Sequence, residues 1–303
     1  MSLMLLDSGS LWYRAFYGMP DTLLAPDGTP VNAIRGYLDM SARLISMYRP
    51  NRLVACLDGD WRPSWRVELF PDYKANRLEE DGEGEEEPDL LTPQIPILLD
   101  VLDAFGIPIV GADDYEADDV MATYAVKEPG PIRIVTGDRD LFQLVKPEPD
   151  VQVIYLAKGI SNHDLVDQNW IAKKYEIPGD RYGLFATFRG DASDGLPGVK
   201  GIGEKGAALI ARHYATAEEA IAGALAEHEH LTPSLRKKII EGQDYLAFAP
   251  KLVACATDVP LPKIDLSLPK KPKSKESLET IRELQERYGL GASVDRLISA
   301  LNW

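Results

Sequence analysis

Short apolar runs alternate with longer amphipathic stretches through the first half of the chain. The apolar runs predict strands at 2–6, 52–57, 107–110, 131–136 and 151–156. Apolar positions at helical spacing predict helices at 31–48, 93–105, 116–127 and 138–145. This alternation is typical of an α/β fold, in which helices cover both faces of a mostly parallel sheet.

The second half of the chain has a different pattern. Residues 163–256 contain no convincing strand and predict a series of short helices. A Pro- and Lys-rich stretch at 259–275 predicts an extended connector, and two helices follow over 276–301, broken at Gly289-Leu290-Gly291. We therefore expect an α/β core at 1–178, a helical region at 179–258, and a C-terminal connector with helices at 259–303.

Acidic residues follow the predicted strands at the points where these strands end. Because ligands bind at the carboxyl ends of parallel strands, the acids should converge at that edge of the sheet. Converging carboxylates repel one another and require cations, and hard oxygen ligands without His or Cys favour Mg²⁺ or Mn²⁺. The candidate metal ligands are Asp7, Asp58, Glu116, Asp118, Asp119, Asp138, Asp140, Asp191 and Asp194.

Helix capping and turn formation are the alternative explanations for two of these groups. Glu116, Asp118 and Asp119 stand where a helix begins, and acids in a first turn interact favourably with the helix dipole. Asp138 and Asp140 belong to a turn, and turns are rich in Asp for conformational reasons. Three acids within four residues exceed what capping requires, and the strand before each group favours a metal site.

The composition is ordinary for a globular protein, with 303 residues, 45% of them hydrophobic and 27% charged. No apolar run approaches the roughly 20 residues needed to cross a bilayer, and no secretory signal opens the chain. Cys56 and Cys255 are too few and too far apart to form a disulfide framework. We therefore expect a cytoplasmic protein without a membrane partner.

The net charge of −15 argues at first against a nucleic-acid partner. Its distribution weakens that argument, because residues 79–89 alone hold eight acids and no base. This segment cannot bury apolar surface, so it predicts a disordered or mobile loop, with a lid or binding element as the alternative. Basic residues cluster elsewhere, at 62–77, 200–212 and 270–275.

Two of these basic segments suggest a phosphodiester substrate. Lys74 and Arg77 are three residues apart, on one face if helical, although a solvated surface pair is the alternative. The glycine-rich run 195–206 contains Lys200 and Lys205, and its backbone N–H groups point at an anion above a helix N-terminus. This helix-hairpin-helix signature is typical of binding to DNA phosphates. The alternative, a tight turn between packed helices, requires neither lysine.

The order and spacing of these motifs resemble those of the 5′-nucleases, or flap endonucleases. The chain most closely resembles the 5′→3′ exonuclease domain at the front of bacterial DNA polymerase I, over essentially its whole length. The resemblance rests on Leu6-Asp7-Ser8-Gly9, Tyr13-Arg14-Ala15, Tyr73-Lys74-Ala75-Asn76-Arg77, Tyr115-Glu116-Ala117-Asp118-Asp119, Thr136-Gly137-Asp138-Arg139-Asp140-Leu141, and Gly190-Asp191-Ala192-Ser193-Asp194 with the hairpin after it.

The resemblance implies a PIN-like α/β core with a helix-hairpin-helix (H3TH) subdomain. It also implies a structure-specific 5′-nuclease that hydrolyses DNA at 5′ flaps, nicks, gaps and free 5′ ends by a two-metal mechanism. The first metal would be held by Asp7, Asp58, Glu116 and Asp118, and the second by Asp138, Asp140, Asp191 and Asp194. Asp119 would join directly or through water, and Lys74 and Arg77 would act in catalysis at the base of an arch at about 72–95.

The same resemblance implies further partners. A K⁺ ion is expected at the hairpin, and DNA polymerase and ligase are expected partners in replication and repair. No polymerase follows Trp303, so we expect a freestanding, monomeric, nucleoid-associated nuclease. The expected DNA contacts are Arg14, Tyr73, Lys74, Arg77, Gly198, Lys200, Gly201, Gly203 and Lys205.

Two positions depart from the family pattern, and two other functions compete with this one. The family has Asp-Gly where this chain has Asp7-Ser8, and Asn where it has Gly195, which leaves open how Asp191 and Asp194 are held. A metal-dependent RNase or phosphatase is the first rival, but neither needs the hairpin. A non-catalytic DNA-binding module is the second, but it would not need the full set of acids.

Overall fold

The computed structural model describes residues 2–78, 88 and 90–303. Its strands are β1 (Leu3–Asp7), β2 (Arg52–Cys56), β3 (Ile109–Val110), β4 (Ile132–Thr136), β5 (Val151–Tyr155) and β6 (Asp164–Val166). They form one sheet in the order β3-β2-β1-β4-β5-β6. The first five strands are parallel, and β6 runs antiparallel to β5.

Helices connect the strands and follow the last of them along the chain. In the first half they are α1 (Ser8–Gly18), α2 (Asn32–Tyr48), α3 (Ser64–Leu69), α4 (Gln94–Phe105) and α5 (Ala117–Lys127). The later helices are α6 (Gln168–Tyr175), α7 (Tyr182–Arg189), α8 (Glu204–His213), α9 (Ala217–Leu225), α10 (Pro233–Glu241), α11 (Gln243–Leu246), α12 (Ala249–Val253), α13 (Lys275–Arg287) and α14 (Ala292–Ala300). Short 3₁₀ helices occupy Ala75–Arg77, Asp140–Leu144, Ile160–Asn162 and Gly179–Arg181.

The central strand is buried on both faces. Leu3 and Leu5 of β1 enter one apolar core, which also contains residues of α5 and α7. Met4 and Leu6 enter the other core, which contains residues of α2, α4 and α14. This alternation follows from the two-residue period of a strand, and burial on both faces explains why β1 is continuously apolar. The predicted α/β fold, with helices on both faces of a mostly parallel sheet, is confirmed.

The local structure differs from the sequence predictions at three places described next. Helix α1 was not predicted, because its Ser-Gly-Ser start reads as a turn. Residues 138–145 do not form the predicted helix, because the Asp138 carboxylate accepts the N–H of Asp140 at 2.8 Å and starts a tighter 3₁₀ turn. The prediction of no strand in 163–256 was wrong as well, since β6 lies there but is only three residues long, too short to show a period.

The stretch 259–275 is more than a connector. The N–H of Leu53 in β2 donates to the carbonyl of Leu266 at 3.0 Å, and the N–H of Leu268 donates to the carbonyl of Asn51 at 2.9 Å. Strand β3 pairs only with the last two residues of β2. Residues 266–268 therefore cover the part of the β2 edge that β3 leaves open, which blunts an exposed strand edge.

The C-terminal helices pack on the sheet, and the predicted break between them is confirmed. Ile281 of α13 and Leu297 of α14 are buried in the core that contains α2 and α4. Gly289 and Gly291 separate the two helices with φ values of +59° and +55°, a region that favours glycine.

No helix in the described ranges is long and apolar enough to cross a membrane. The acidic part of the predicted arch, residues 79–87 and 89, lies outside the described residues. The predicted region boundaries at 178 and 258 stay predictions.

Candidate metal centre

The central strands bring three acidic residues to one edge of the sheet. Asp7 is the last residue of β1, which lies between β2 and β4. Asp58 follows the end of β2, and Asp138 follows the end of β4, each by two residues. Because these strands are parallel, their carboxyl ends lie side by side.

A cavity of 660 Å³ lies over this edge. Its basic lining residues are Arg14, Arg66, Lys74 and Arg77. Its acidic lining residues are Asp7, Asp58, Glu116, Asp118, Asp138, Asp140 and Asp194. The structure therefore brings together seven of the nine acids that the sequence singles out, while Asp119 and Asp191 are turned elsewhere.

The carboxylate of Asp7 is held on both oxygens. Oδ1 accepts the N–H of Ser10 at 3.0 Å, which caps α1, and Oδ2 accepts the hydroxyl of Thr136 at 2.6 Å. The Thr136 hydroxyl oxygen in turn accepts the N–H of Asp138 at 2.8 Å. The end of β1 and the turn after β4 are thus fixed relative to each other.

Glu116 is surrounded by donors. It caps the N-terminus of α5 and is only 5% exposed. Its Oε1 accepts from the ammonium of Lys74. Its Oε2 lies 2.7 Å from Nη1 of Arg66 and accepts the hydroxyl of Tyr73 at 2.9 Å. Both oxygens are therefore occupied by donors that a metal ion would have to replace.

Lys74 also contacts the second group of acids through its backbone. It has the left-handed conformation, with φ of +51°, which is uncommon for a residue with a side chain. Its N–H donates to the carbonyl of Asp194 at 3.0 Å. Lys74 therefore connects Glu116, through its side chain, with Asp194, through its main chain.

Asp119 lies behind Glu116 and does not line the cavity. It is fully buried, and its two oxygens accept a bidentate pair of bonds from Arg66 at 2.7 and 2.8 Å. Oδ1 also accepts the N–H of Ala256 at 2.7 Å, and Oδ2 the N–H of Glu116 at 3.2 Å. With about four acceptor positions on a carboxylate, none remains for an ion. Asp119 instead fixes Arg66 behind Glu116.

Arg66 is a site residue that sequence reasoning missed. It was visible only as one of several bases in the 62–77 segment. One feature of the sequence did indicate such a residue. Two acids suffice to cap a helix, and Asp119 is a third, so a buried Asp119 would require a cationic partner. That partner is distant in sequence and could not be identified from spacing.

The acids of the second group have different environments. Asp194 lines the cavity, and its Oδ1 is 2.7 Å from Nη2 of Arg77. Asp191 does not line it, because its Oδ1 accepts the N–H of Ser193 at 2.9 Å and its Oδ2 lies 3.2 Å from Nη2 of Arg189. Asp140 Oδ1 is buried without a hydrogen-bond partner in the described part of the chain.

Both departures from the family pattern have a local explanation. Ser8 places its hydroxyl 3.0 Å from the hydroxyl of Tyr37, away from the Asp7 carboxylate. Gly195 has φ of +72°, and a Cβ there would lie 2.6 Å from the carbonyl oxygen of Asp72. The close approach of Asp72 thus requires glycine, and Asp194 is held from the 72–77 segment.

The predicted DNA contacts fall in two places. Arg14 and Tyr73 lie with Lys74 and Arg77 in the cavity lining, and Nε of Arg14 is buried without a hydrogen-bond partner among the described residues. The second place is the glycine hairpin before α8. Gly198 and Gly201 have φ of +66° and +79°, Gly203 caps α8, and Lys200 and Lys205 are exposed beside them.

The donor set fits a divalent metal in its chemistry, although not in its present arrangement. Carboxylate oxygens are the ligands that Mg²⁺ and Mn²⁺ prefer, and the unpartnered oxygen of Asp140 is a free acceptor. Within the described ranges, however, no three His, Cys, Asp or Glu side chains are grouped so that they could hold an ion. The engagement of Glu116 with Lys74 and Arg66 gives one reason, since these donors must move before an ion binds.

Solved structures with the same fold include several nucleases. The bacteriophage T5 D15 protein co-crystallised with metal ions matches with a TM-score of 0.64 at 18% identity, over 99% of each chain. Human GEN1 in complex with Holliday junction DNA matches with a TM-score of 0.62 at 16% identity, over 99% of this chain and 71% of that chain. At these identities the likeness concerns the fold.

Sequence relatives are closer. A protein named 5′-3′ exonuclease from Streptomyces coelicolor is 49% identical over 98% of this chain and 99% of its own length. One of the same name from Mycobacterium tuberculosis is 42% identical over 99% of this chain and 98% of its own length. DNA polymerase I of Mycobacterium bovis is 38% identical over 70% of this chain, which corresponds to 23% of the polymerase.

Two family models match in succession. The 5′-3′ exonuclease N-terminal resolvase-like domain matches residues 2–176, and the 5′-3′ exonuclease C-terminal SAM fold matches residues 177–276. The first covers the strands and the acids from Asp7 to Asp140, and the second covers Asp191, Asp194 and the glycine hairpin. The chain belongs to the 5′-3′ exonuclease family.

Proposed function

We propose that this protein is a divalent-metal-dependent, structure-specific 5′-nuclease that hydrolyses DNA phosphodiesters near 5′ ends, at flaps, nicks and gaps. The observation that carries the proposal is the cavity at the sheet edge, where seven carboxylates lie beside Arg14, Lys74 and Arg77. An acidic cavity can hold divalent cations, and the basic side chains within it suit a phosphodiester.

The electrostatics of the cavity favour cations as ligands. Burial raises the pKa of Asp7 and that of Glu116, each to about 7. Burial and neighbouring carboxylates also raise the pKa values of Asp118 and Asp140 well above the usual range. Carboxyl groups that are hard to ionise in isolation become stable anions when a cation lies between them. We propose Mg²⁺ or Mn²⁺ as that cation.

The proposed ligands fall in two groups. Asp7, Asp58, Glu116 and Asp118 would hold one ion, and Asp138, Asp140 and Asp194 would hold another. Asp191 would join the second group if it turned from Ser193. Ions held by these residues would supply the activation of a water molecule for in-line attack and the stabilisation of the leaving 3′-oxygen.

Other polar side chains near the proposed ions would either orient Glu116 or contact the substrate phosphate. Tyr73 and Arg66 orient Glu116, and Asp119 orients Arg66. The Lys74 ammonium lies in the cavity against Glu116 and can donate instead to a phosphate oxygen. Arg77, now paired with Asp194, can do the same with two donors. These cations would offset the charge that develops on the phosphate in the transition state.

The hairpin supports DNA rather than a small phosphate ester as substrate. Its backbone N–H groups would contact successive phosphates without reading bases, together with the exposed Lys200 and Lys205. A K⁺ ion at this hairpin would be held by backbone carbonyl oxygens, of which that of Gly201 already accepts from Lys238 at 2.7 Å. A metal-dependent RNase or phosphatase gives no role to this element.

The biological setting follows from the same proposal. We propose that the protein acts as a monomer on chromosomal DNA in the cytoplasm, during replication and repair. Removal of a 5′ flap leaves a nick that a ligase seals, and a polymerase generates the flap. DNA polymerase and ligase are therefore the proposed functional partners.

A substrate panel tests the proposed reaction. The protein should cut a double-flap DNA near the 5′ junction only when Mg²⁺ or Mn²⁺ is present, and it should cut single-stranded RNA and a phosphomonoester far more slowly. Asp138→Asn should lower the single-turnover rate by roughly 10³-fold, because it removes a ligand of the proposed second ion, and flap binding should persist. Equal turnover of all three substrates, or full activity in EDTA, would overturn the proposal.

Lys74 should act in the chemical step. Lys74→Met should lower the single-turnover rate on saturating flap DNA by roughly 10²-fold, while the Kd changes little, because the ammonium acts on the reacting phosphate. The measurement is rapid-quench cleavage together with fluorescence anisotropy. If only the salt-dependent Kd changed, Lys74 would be a positioning residue.

The hairpin lysines should show the reverse pattern. Lys200→Met and Lys205→Met should weaken binding of every duplex sequence and reduce the slope of log Kd against log salt by about 1 each. The single-turnover rate at saturating DNA should remain at the wild-type value. A lost rate with unchanged affinity would contradict the assignment.

The stability of the metal-free protein should depend on the ionisation of Asp7. Its pKa is raised to about 7 in the folded state, so protonation stabilises the fold, and this contribution is lost as the pH rises through that value. Asp7→Asn, which mimics the protonated carboxyl, should therefore gain stability relative to the wild type between about pH 4 and about pH 8. Urea unfolding in EDTA measures the difference.

The exposed Asp265 provides the control, since hydrogen bonds from Ser267 lower the pKa of its carboxyl. Asp265→Asn should show no such gain. A wild-type advantage over Asp7→Asn that grew with pH in EDTA would show that the carboxylate of Asp7 is stabilised without a metal.

A further inference from the structure

Arg189 lies at the second group of carboxylates, where the sequence analysis assigned it no role. It is the last residue of α7 and immediately precedes Gly190-Asp191. One of its guanidinium nitrogens, Nη2, lies 3.2 Å from Oδ2 of Asp191 and 3.9 Å from Oδ1 of Asp140. A positive charge is therefore already present between two of the proposed metal ligands.

This guanidinium is fixed in place. Its side chain is only 13% exposed. Nε donates to the carbonyl of Gly190 at 3.0 Å, Nη1 contacts the hydroxyl of Tyr182 at 3.5 Å, and the group lies 5.3 Å from the centre of the Phe185 ring. Contacts on several sides distinguish Arg189 from a mobile surface cation, so its charge acts on the carboxylates at all times.

The pairing is also incomplete. The distance of 3.9 Å to Asp140 is too long for a hydrogen bond, and Asp140 Oδ1 is buried without a partner in the described residues. A divalent ion would contact such an oxygen at about 2.1 Å. Arg189 thus reduces the repulsion between Asp140 and Asp191 without occupying the position of an ion.

We infer that Arg189 is a built-in cation of the second carboxylate group, which holds Asp140 and Asp191 together without metal and weakens the binding of a divalent ion there. This inference rests on the proposed function, in which the cavity takes divalent ions. A fixed positive charge opposes an incoming ion, so the second group should load readily only when the negative charge of a DNA phosphate is added. Arg189 would thereby make ion binding depend on substrate.

The test is Mn²⁺ binding to the DNA-free protein, measured by calorimetry and by the loss of the free Mn²⁺ electron paramagnetic resonance signal. Arg189→Gln should bind the weaker of the Mn²⁺ ions on the order of tenfold more tightly than the wild type, because a like charge about 5 Å away is removed. Arg189→Lys, which keeps the charge, should remain close to the wild type. Arg139→Gln is the matched control, since Arg139 lies 3.9 Å from Asp191 but is 49% exposed.

The outcomes of this test distinguish a failure of the proposed function from a failure of the inference about Arg189. If the wild type bound no Mn²⁺ and cut no flap DNA in its presence, the proposed function would fail. If the wild type bound Mn²⁺ and Arg189→Gln bound it equally or more weakly, only the inference about Arg189 would fail, and the same holds if Arg189→Lys behaved like Arg189→Gln. If Arg189→Gln were less stable than the wild type in EDTA, Mn²⁺ should raise its Tm by more than it raises that of the wild type, and an equal or smaller rise would overturn the inference.

Discussion

Repulsion between carboxylates at the sheet edge is the constraint on which the rest of the structure depends. Parallel strands place their acids side by side, and no rearrangement of the sheet can separate them. Among the described residues, the cations Arg66, Lys74, Arg77 and Arg189 each pair with at least one acid of the site. None of the four lies on a strand. The elements outside the sheet are therefore attached to its edge by charge as well as by apolar packing.

These cations differ in how firmly they are held. The difference distinguishes a cation with a structural role from cations that can contact a phosphate. Arg66 is almost fully buried and bonded to Asp119 on two nitrogens, so it cannot leave. Arg77 is one-third exposed, and Lys74 lines the cavity, so both can exchange an acid for a phosphate. An ion pair between a cation and a carboxylate therefore has a structural role at Arg66. At Lys74 and Arg77 the same kind of ion pair can be exchanged for a contact with a phosphate.

The sequence predicted the features that have a local pattern. Buried parallel strands are continuously apolar, so β1, β2 and β4 and the acids that follow them could be located from the chain alone. Long-range pairings leave no such pattern. Arg66 and Asp119 are far apart in sequence, and β6 is too short to show a period. The missing Asn after Asp194 was visible, but its explanation, the carbonyl of Asp72, was not.

The left-handed backbone of Lys74 has a mechanical consequence. This one residue bonds to Glu116 in the core and to Asp194 beyond α7, and it lies at the base of the segment that leads into residues 79–89. A displacement of Lys74 would therefore alter its contact with Glu116 and its contact with Asp194 at once. A substitution that disfavours this backbone conformation would disturb both groups of acids together.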